Sequence, residues 1–232
     1  ADPIVEDILR RGKSPIIVGG TGLYMDALIR GNAFAPCPST GRREELEALA
    51  ASQGIEAVIE RLRAVDPGSA ARLHPSDQKR IIRAMEVYLE TGMTITEHNR
   101  KTQEIPPKYH PIRFTLTDRQ RQTLYDRIDR RVDAMVEAGL IEEIQGLLAR
   151  GIPEKCTAMQ AIGYKEFVAA LHGACSLEEA AGQVKQSSRR YAKRQLTWFR
   201  RNPENIWLIR EDGQSSMEIL DSARQYLRDF DK

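Results

Sequence analysis

The segment PIIVGGTGLYMDALIRG, residues 15 to 31, decides the predicted fold. An apolar, β-branched run from Ser14 to Val18 predicts a buried strand, and residues Leu23 to Ile29 predict the helix that follows it. In open α/β sheets, ligands lie beyond the carboxyl ends of the strands. The GGTG turn lies at such an end, where bare glycines let backbone amides approach an anion. The alternative, a purely structural turn, fits the pattern equally well.

Composition limits the possible classes of protein. The 232 residues carry a formal net charge of +2, so the overall charge does not indicate a nucleic-acid-binding protein. Cys37, Cys156 and Cys175 are odd in number and far apart, which argues against a disulfide framework or a cysteine zinc site and fits a reducing cytoplasm. No apolar run is long enough for a membrane span or a signal-peptide core.

Helical patterns alternate with short strand patterns along the rest of the chain. An amphipathic helix over residues 1–11 precedes the first strand, and four helices are predicted between residues 42 and 101. Strands are predicted at Ile112–Leu116 and Ile206–Ile209, with a helix break at Gly139, a long helix from Ser176 to Asn202 and a final helix from Met217 to Phe230. Three strands among helices predict an α/β sheet with a helical insertion. Because three strands make a poor parallel sheet, we expect the chain to start inside a larger fold.

The segment from Arg11 to Ser14, RGKS, looks like the end of a Walker phosphate-binding loop. That motif needs a glycine five positions before Gly12 and a helix immediately after the serine. Asp7 occupies the first position, and Pro15 with a predicted strand occupies the second. The match is therefore rejected.

The predicted helix from Ser176 to Asn202 has no acidic residue after Glu179. Its seven cations are Lys185, Arg189, Arg190, Lys193, Arg194, Arg200 and Arg201. Exposed helices usually mix charges of both signs, so this composition predicts a polyanionic partner. The alternative is a basic face that is balanced by acidic residues elsewhere in the fold.

Three further groups of cations carry weaker signals. Lys79, Arg80 and Arg83 share one side of a helix and, with the basic helix, could form two walls of a groove. Arg43 has a similarly basic setting. Another helix carries Arg121, Arg127 and Arg131, which could bind phosphate but are better explained by salt bridges to Asp118, Asp126 and Asp129. The segment from residue 158 to Lys165 could be a contact loop or only the first turn of a helix.

Four segments in this order resemble the bacterial tRNA dimethylallyltransferases, also called tRNA isopentenyltransferases. They are IIVGGTGLY, KRIIRAMEV from Lys79, QAIGYK from Gln160 and KRQLTWFR from Lys193. Arg121, Arg127, Ile128 and Arg131, followed by GLIEE from Gly139, fit as well. The resemblance extends from the first residues to about Arg201.

The resemblance implies a P-loop NTPase-like, kinase-like α/β core over residues 1–38 and 111–232, which would lack its N-terminal part. It also implies an all-helical, tRNA-binding insertion over residues 39–110. The implied reaction moves a dimethylallyl group from dimethylallyl diphosphate to the exocyclic amine of the adenosine 3′ of the anticodon. Mg²⁺ would assist the diphosphate, and we expect a cytoplasmic monomer without membrane contact.

The resemblance also assigns residues. It places Thr21 in the reaction channel against the target nucleotide, and we expect the diphosphate near Gly19, Gly20, Gly22, Arg127 and Arg131. It places against tRNA Thr21, Arg43, Lys79, Arg80, Ile81, Ile82, Arg83, Gln160, Ala161, Ile162, Gly163, Tyr164, Lys165, Lys193, Arg194, Gln195, Leu196, Thr197, Trp198, Phe199 and Arg200. Because Ile81 and Ile82 are apolar, we expect Lys79, Arg80 and Arg83 to make the polar contacts of their segment.

The Walker loop of the family and the aspartate expected to act as general base have no counterpart in this sequence. We therefore expect the 232-residue polypeptide alone to bind tRNA without transferring the group. Three alternatives remain open: an adenylate dimethylallyltransferase that acts on free nucleotide, a non-catalytic RNA-binding remnant, and a P-loop kinase of small molecules.

Overall fold

Helices dominate the fold. The structure is a computed structural model and describes residues 1–31 and 40–230. Cys37 and the predicted boundary at residues 38 and 39 lie outside that part of the chain. The elements in order are α1 (Asp2–Arg10), α2 (Gly22–Arg30), α3 (Arg42–Gln53), α4 (Ile55–Val65), α5 (Pro67–Arg72), α6 (Gln78–Thr91), α7 (Ile95–Glu104), β1 (Phe114–Asp118), α8 (Arg121–Glu137), α9 (Leu140–Ala149), α10 (Tyr164–Leu171), α11 (Leu177–Phe199), β2 (Ile206–Arg210) and α12 (Ser216–Phe230).

The structure confirms three helix boundaries that local signals in the sequence predict. The side chains of Thr94 and Ser176 accept hydrogen bonds from the backbone N–H groups of Glu97 and Glu179, which caps α7 and α11 as predicted. Gly139 has φ of 97° and separates α8 from α9. A residue with a Cβ would be strained in that conformation, so the glycine sets the predicted break.

The described residues divide into two compact units. Of the described residues, the first unit contains 1–18, 23–31 and 40–110, and the second contains 19–22 and 111–230. The predicted assignment of residues 1–38 and 111–232 to the core domain stays a prediction.

Each unit has its own hydrophobic core. In the first, α3, α4 and α6 pack through side chains that include Leu46, Val58, Leu62, Ile81 and Met85. In the second, the core between α8, α9, α10 and α11 includes Val132, Ile144, Met159, Phe167 and Val184.

The sheet in the described part of the chain has two parallel strands, with Leu116 of β1 opposite Leu208 of β2. This confirms a mixed, helix-rich α/β fold with a small parallel sheet. No helix in the ranges 1–31 and 40–230 is long and apolar enough to cross a membrane.

The predicted strand from Ser14 to Val18 is wrong. Residues 13–19 have no regular secondary structure, and the side chains of Ile16 and Val18 are 87% and 90% exposed. A strand needs a neighbour to pair its backbone N–H and C=O groups. Within the described residues, β1 and β2 pair only with each other, so no neighbour is available to this segment.

Candidate functional site

The glycine turn packs closely against helix α11. A Cβ atom on Gly20 would lie 1.9 Å from Nε2 of Gln195, and one on Gly22 would lie 2.2 Å from the indole ring of Trp198. Neither glycine has a positive φ. Close approach of two side chains of α11 therefore explains these glycines, which supports the structural reading of the turn. The role of Gly19, Gly20 and Gly22 in holding a diphosphate stays a prediction.

Thr21 is exposed at the middle of the same turn. Its Oγ1 atom lies 3.4 Å from the hydroxyl oxygen of Tyr191 on α11, with which it shares a hydrogen bond. Thr21 is accessible to a ligand, as the channel assignment requires. Tyr191 was missed at the sequence level, although its position four residues before Gln195 places both on one face of the helix.

The first half of α11 is neutralised. Lys185 pairs with Asp133 at 2.6 Å, and Arg189 pairs with both carboxylate oxygens of Asp129 at 2.6 Å. Both acidic residues lie on α8. For Lys185 and Arg189, the alternative is therefore correct: acidic residues elsewhere in the fold balance their charges.

The second half of α11, together with the two residues that follow the helix, has a different environment. Arg190, Lys193, Arg194, Arg200 and Arg201 are exposed, and no carboxylate in the described residues forms an ion pair with them. We call these five side chains the basic surface. Their uncompensated charge leaves this end of α11 available to a polyanion.

Three arginines of the basic surface lie over aromatic rings. The guanidinium carbon of Arg194 is 5.5 Å from the ring centre of Tyr191, and that of Arg201 is 5.3 Å from Trp198. Arg200 lies 5.9 Å from Trp207. Such cation–π contacts leave the N–H groups of an arginine free to meet phosphate oxygens.

The remaining residues of KRQLTWFR are less available. Leu196 and Phe199 are half-buried, and the hydroxyl of exposed Thr197 donates to the carbonyl of Lys193 at 2.9 Å. Within this segment, the cations are therefore the best candidates for the predicted contacts with tRNA.

In the segment from Lys79 to Arg83, the predicted tRNA contacts of Ile81 and Ile82 are wrong. Their side chains are buried in the core of the first unit and cannot touch a macromolecular ligand. They face the core because α6 packs its apolar side onto α3 and α4. Lys79 and Arg80 are exposed, as the contact assignment requires, although Arg80 lies 3.7 Å from Asp77.

Arg43 and Arg83 share one buried carboxylate. Glu86 lies 2.8 Å from Arg83 and 3.7 Å from Arg43, and Arg43 also bonds to Glu47 at 3.2 Å. These acidic neighbours offset much of the two positive charges. The predicted tRNA contacts of Arg43 and Arg83 stay predictions, with less free charge than the sequence indicated.

The segment from Gln160 to Lys165 forms the entry to α10. Gly163, buried and with φ of 100°, donates its N–H to the buried Glu166 at 2.9 Å. A hydrogen bond to Glu143, together with burial, raises the pKa of half-buried Tyr164. Gln160, Ala161 and Lys165 are exposed and Ile162 is half-buried. The glycine therefore serves the turn, and the exposed residues remain candidate contacts.

The two arginines predicted near the diphosphate differ. Arg127 lies 3.3 Å from Asp118 at the end of β1, and Arg210 of β2 contacts the same carboxylate at 2.6 Å. The salt bridge from Arg127 to Asp118 confirms the structural alternative. Arg131 is exposed, with no ion pair to a described residue, so its cation remains available.

No group of three or more histidine, cysteine, aspartate or glutamate side chains within the described ranges could hold a metal ion. Because Mg²⁺ is commonly held by one or two carboxylates together with substrate phosphates, the role of Mg²⁺ stays a prediction.

Comparison with known proteins identifies similar chains. A family described as IPP transferase matches residues 1–202. The tRNA dimethylallyltransferase of Thermoanaerobacter sp. (strain X514) is 44% identical over 229 residues, which is 98% of this chain and 73% of that protein. That of Geobacillus thermodenitrificans (strain NG80-2) is 46% identical over 228 residues, 98% of this chain and 71% of that protein.

Two solved structures are also similar. The full-length tRNA isopentenylpyrophosphate transferase from Bacillus halodurans is 40% identical, with a TM-score of 0.64, covering 97% of this chain and 70% of that one. A eukaryotic dimethylallyltransferase acting on tRNA is 29% identical, with a TM-score of 0.74, covering 98% of this chain and 60% of that one.

Proposed function

The chain belongs to the IPP transferase family, which makes it an enzyme of the tRNA dimethylallyltransferase type, and we propose the following reaction for it. It transfers a dimethylallyl group from dimethylallyl diphosphate to the exocyclic amine of the adenosine 3′ of the anticodon of a tRNA. The observation that carries this proposal is the basic surface of α11, without neutralising carboxylates among the described residues and next to the exposed turn of Thr21.

The basic surface suits the first task of such an enzyme. Arginine and lysine contacts to phosphates fix the register of a nucleic acid without reading its sequence. A base stacked in an anticodon loop must leave its stack to reach an allylic carbon. Cations that hold the backbone beside Thr21 would keep the displaced nucleotide near the turn.

The chemistry needs few groups. The amine nitrogen attacks the allylic carbon, the bond between that carbon and the diphosphate oxygen breaks, and diphosphate leaves with the electron pair. The amine then loses one proton to a base. Cations and backbone N–H groups stabilise the charge that develops on the leaving oxygen. Exposed Arg131 and the turn of Gly19, Gly20 and Gly22 are the proposed donors.

Several finer points remain proposals. Mg²⁺ would assist departure of the diphosphate, and loss of transfer in EDTA with recovery in excess Mg²⁺ tests this. The monomeric state, the cytoplasmic location, the P-loop-like core and the inability of the 232-residue polypeptide to transfer the group alone stay predictions.

The test is a transfer assay with three acceptors: an anticodon stem-loop RNA, the same RNA with guanosine at the target position, and adenosine monophosphate. The protein isolated from its source organism, called the source protein, and the 232-residue polypeptide expressed by itself are assayed side by side by mass spectrometry. We expect the source protein to modify only the adenosine stem-loop, and the polypeptide to bind it without transfer.

Each other outcome has a defined meaning. Modification of adenosine monophosphate in preference to RNA contradicts the proposal in favour of an adenylate dimethylallyltransferase. RNA binding without transfer by the source protein indicates an RNA-binding remnant. Transfer by the polypeptide alone contradicts only the prediction about its activity.

A further inference from the structure

Three consecutive residues of the glycine turn each meet one side chain of α11. The carbonyl of Gly20 accepts a hydrogen bond from Nε2 of Gln195 at 2.9 Å. Thr21 bonds to the hydroxyl of Tyr191, and Gly22 lies against the ring of Trp198. Positions 191, 195 and 198 are four and three residues apart, so the three side chains share one face of the helix. We call them the clamp.

The side-chain amide of Gln195 is directed at the backbone of the glycine turn. The side chain is half-buried, and its amide nitrogen faces the turn rather than solvent. The family resemblance places Gln195 and Trp198 against tRNA. In this structure the amide is engaged by the Gly20 carbonyl, and the indole ring fills the space where Gly22 lacks a side chain.

The clamp is also in contact with the basic surface. Arg194 lies over the ring of Tyr191, and Arg201 lies over the ring of Trp198. Both arginines are exposed and form no ion pair with a described carboxylate. A phosphate held by either arginine therefore acts on a ring that touches the turn of Thr21. Capture of a polyanion and the position of Thr21 are joined by direct contacts.

We propose that Tyr191, Gln195 and Trp198 are positioning residues that hold the turn carrying Thr21 on α11, so that RNA captured by the basic surface meets a preset reaction channel. The expected effect on the rate of transfer rests on the proposed function. Misplacement of reacting groups by about 1 Å can cost on the order of 100-fold in rate. Loss of the clamp therefore lowers kcat for transfer and leaves RNA affinity nearly unchanged.

The test replaces Gln195→Met, which keeps the length of the side chain and removes the donor without adding charge. The matched control is Gln183→Met, an exposed glutamine in the first half of the same helix. A second variant, Gly22→Ala, disturbs the clamp from the turn by displacing Trp198. Its control is Gly182→Ala, because a Cβ there meets no atom within 4 Å. The second pair decides if Gln195→Met fails to fold.

Three measurements are made on each folded variant. NMR order parameters of the Gly20 and Thr21 amides report the turn, and in Gln195→Met or Gly22→Ala we expect them to fall from about 0.85 to below about 0.6. The Kd for an anticodon stem-loop stays within about twofold of the parent. In the transfer assay of the source protein, kcat falls roughly tenfold to 100-fold while KM stays within about twofold. The controls match the parent in all three measurements.

Unchanged order parameters in both Gln195→Met and Gly22→Ala overturn the clamp. So does a large loss of RNA affinity in Gln195→Met while the turn stays rigid, because that result identifies Gln195 as an RNA contact. If the parent source protein transfers nothing, the proposed function fails by itself, and the order parameters still decide the clamp.

Discussion

Two lysines of α11 show how the surroundings of a side chain decide whether its charge is available to a ligand. Lys185 lies 2.6 Å from Asp133, whereas Lys193 is exposed without a carboxylate partner among the described residues. A paired lysine must give up its partner before it can neutralise a phosphate. An unpaired lysine only releases the counterions of the nucleic acid.

This difference predicts unequal effects on RNA binding. Lys193→Gln is expected to weaken binding of an anticodon stem-loop and to reduce the slope of log Kd against log salt by about 1. Lys185→Gln, the matched control, is expected to change the slope by much less. Titrations at several salt concentrations measure both. Equal slopes for the two variants would show that the salt bridge to Asp133 does not decide which lysine meets RNA.

At the scale of elements, one buried aspartate connects two helices of the first unit. Asp66 accepts hydrogen bonds from the N–H of Ser69 at the start of α5, and from the hydroxyl and N–H of Thr96 in α7, at 2.9, 2.6 and 3.2 Å. Burial by itself would raise the pKa of Asp66, but the hydrogen bonds from Thr96 and Ser69 outweigh burial and lower the pKa below 3.8. The ionised carboxylate therefore stabilises the folded state.

Asp66→Ala is expected to lower the free energy of unfolding by roughly 2–3 kcal/mol, because buried donors lose their acceptor. Asp77→Ala is the control, since Asp77 precedes α6 without a capping bond from its side chain, and less than about 0.5 kcal/mol is expected. Urea unfolding measures both.

The same substitution has a predicted pH dependence. A pKa lowered by folding gives stability that is present above the unfolded pKa and is lost as pH falls through the folded pKa. The difference between parent and Asp66→Ala should therefore be complete at neutral pH and shrink below about pH 4. A difference that stays constant into acid would contradict the role of the ionised form.

At the scale of the whole molecule, two units with separate cores raise the question of cooperativity. Leu62 is fully buried in the core of the first unit, and Phe167 is fully buried in that of the second. Both tryptophans of the chain, Trp198 and Trp207, lie in the second unit. Tryptophan fluorescence therefore reports the second unit, whereas far-ultraviolet circular dichroism reports the helices of both.

We expect Leu62→Ala, which costs about 2–5 kcal/mol, to shift part of the circular dichroism transition and to leave the fluorescence transition nearly in place. Phe167→Ala, at about 3–5 kcal/mol, should shift the fluorescence transition. Urea titrations with both probes on one sample make the comparison. Coincident shifts of both probes in both variants would show that the units unfold as one.

The sequence alone determined the features that depend on neighbours a few residues apart. The caps at Thr94 and Ser176, the break at Gly139 and the charge of α11 are local, so periodicity and residue type predict them. The motifs that resemble the family are local in the same sense, because they are strings of adjacent residues.

The pairs of residues that meet across long separations follow from tertiary packing. Asp129 neutralises Arg189 across 60 residues, and Gln195 reaches Gly20 across 175 residues. The apolar run from Ser14 to Val18 has the composition of a strand and forms none, because a strand exists only where a second backbone completes its hydrogen bonds. Pairing of this kind is set by packing, and no pattern within one segment contains it.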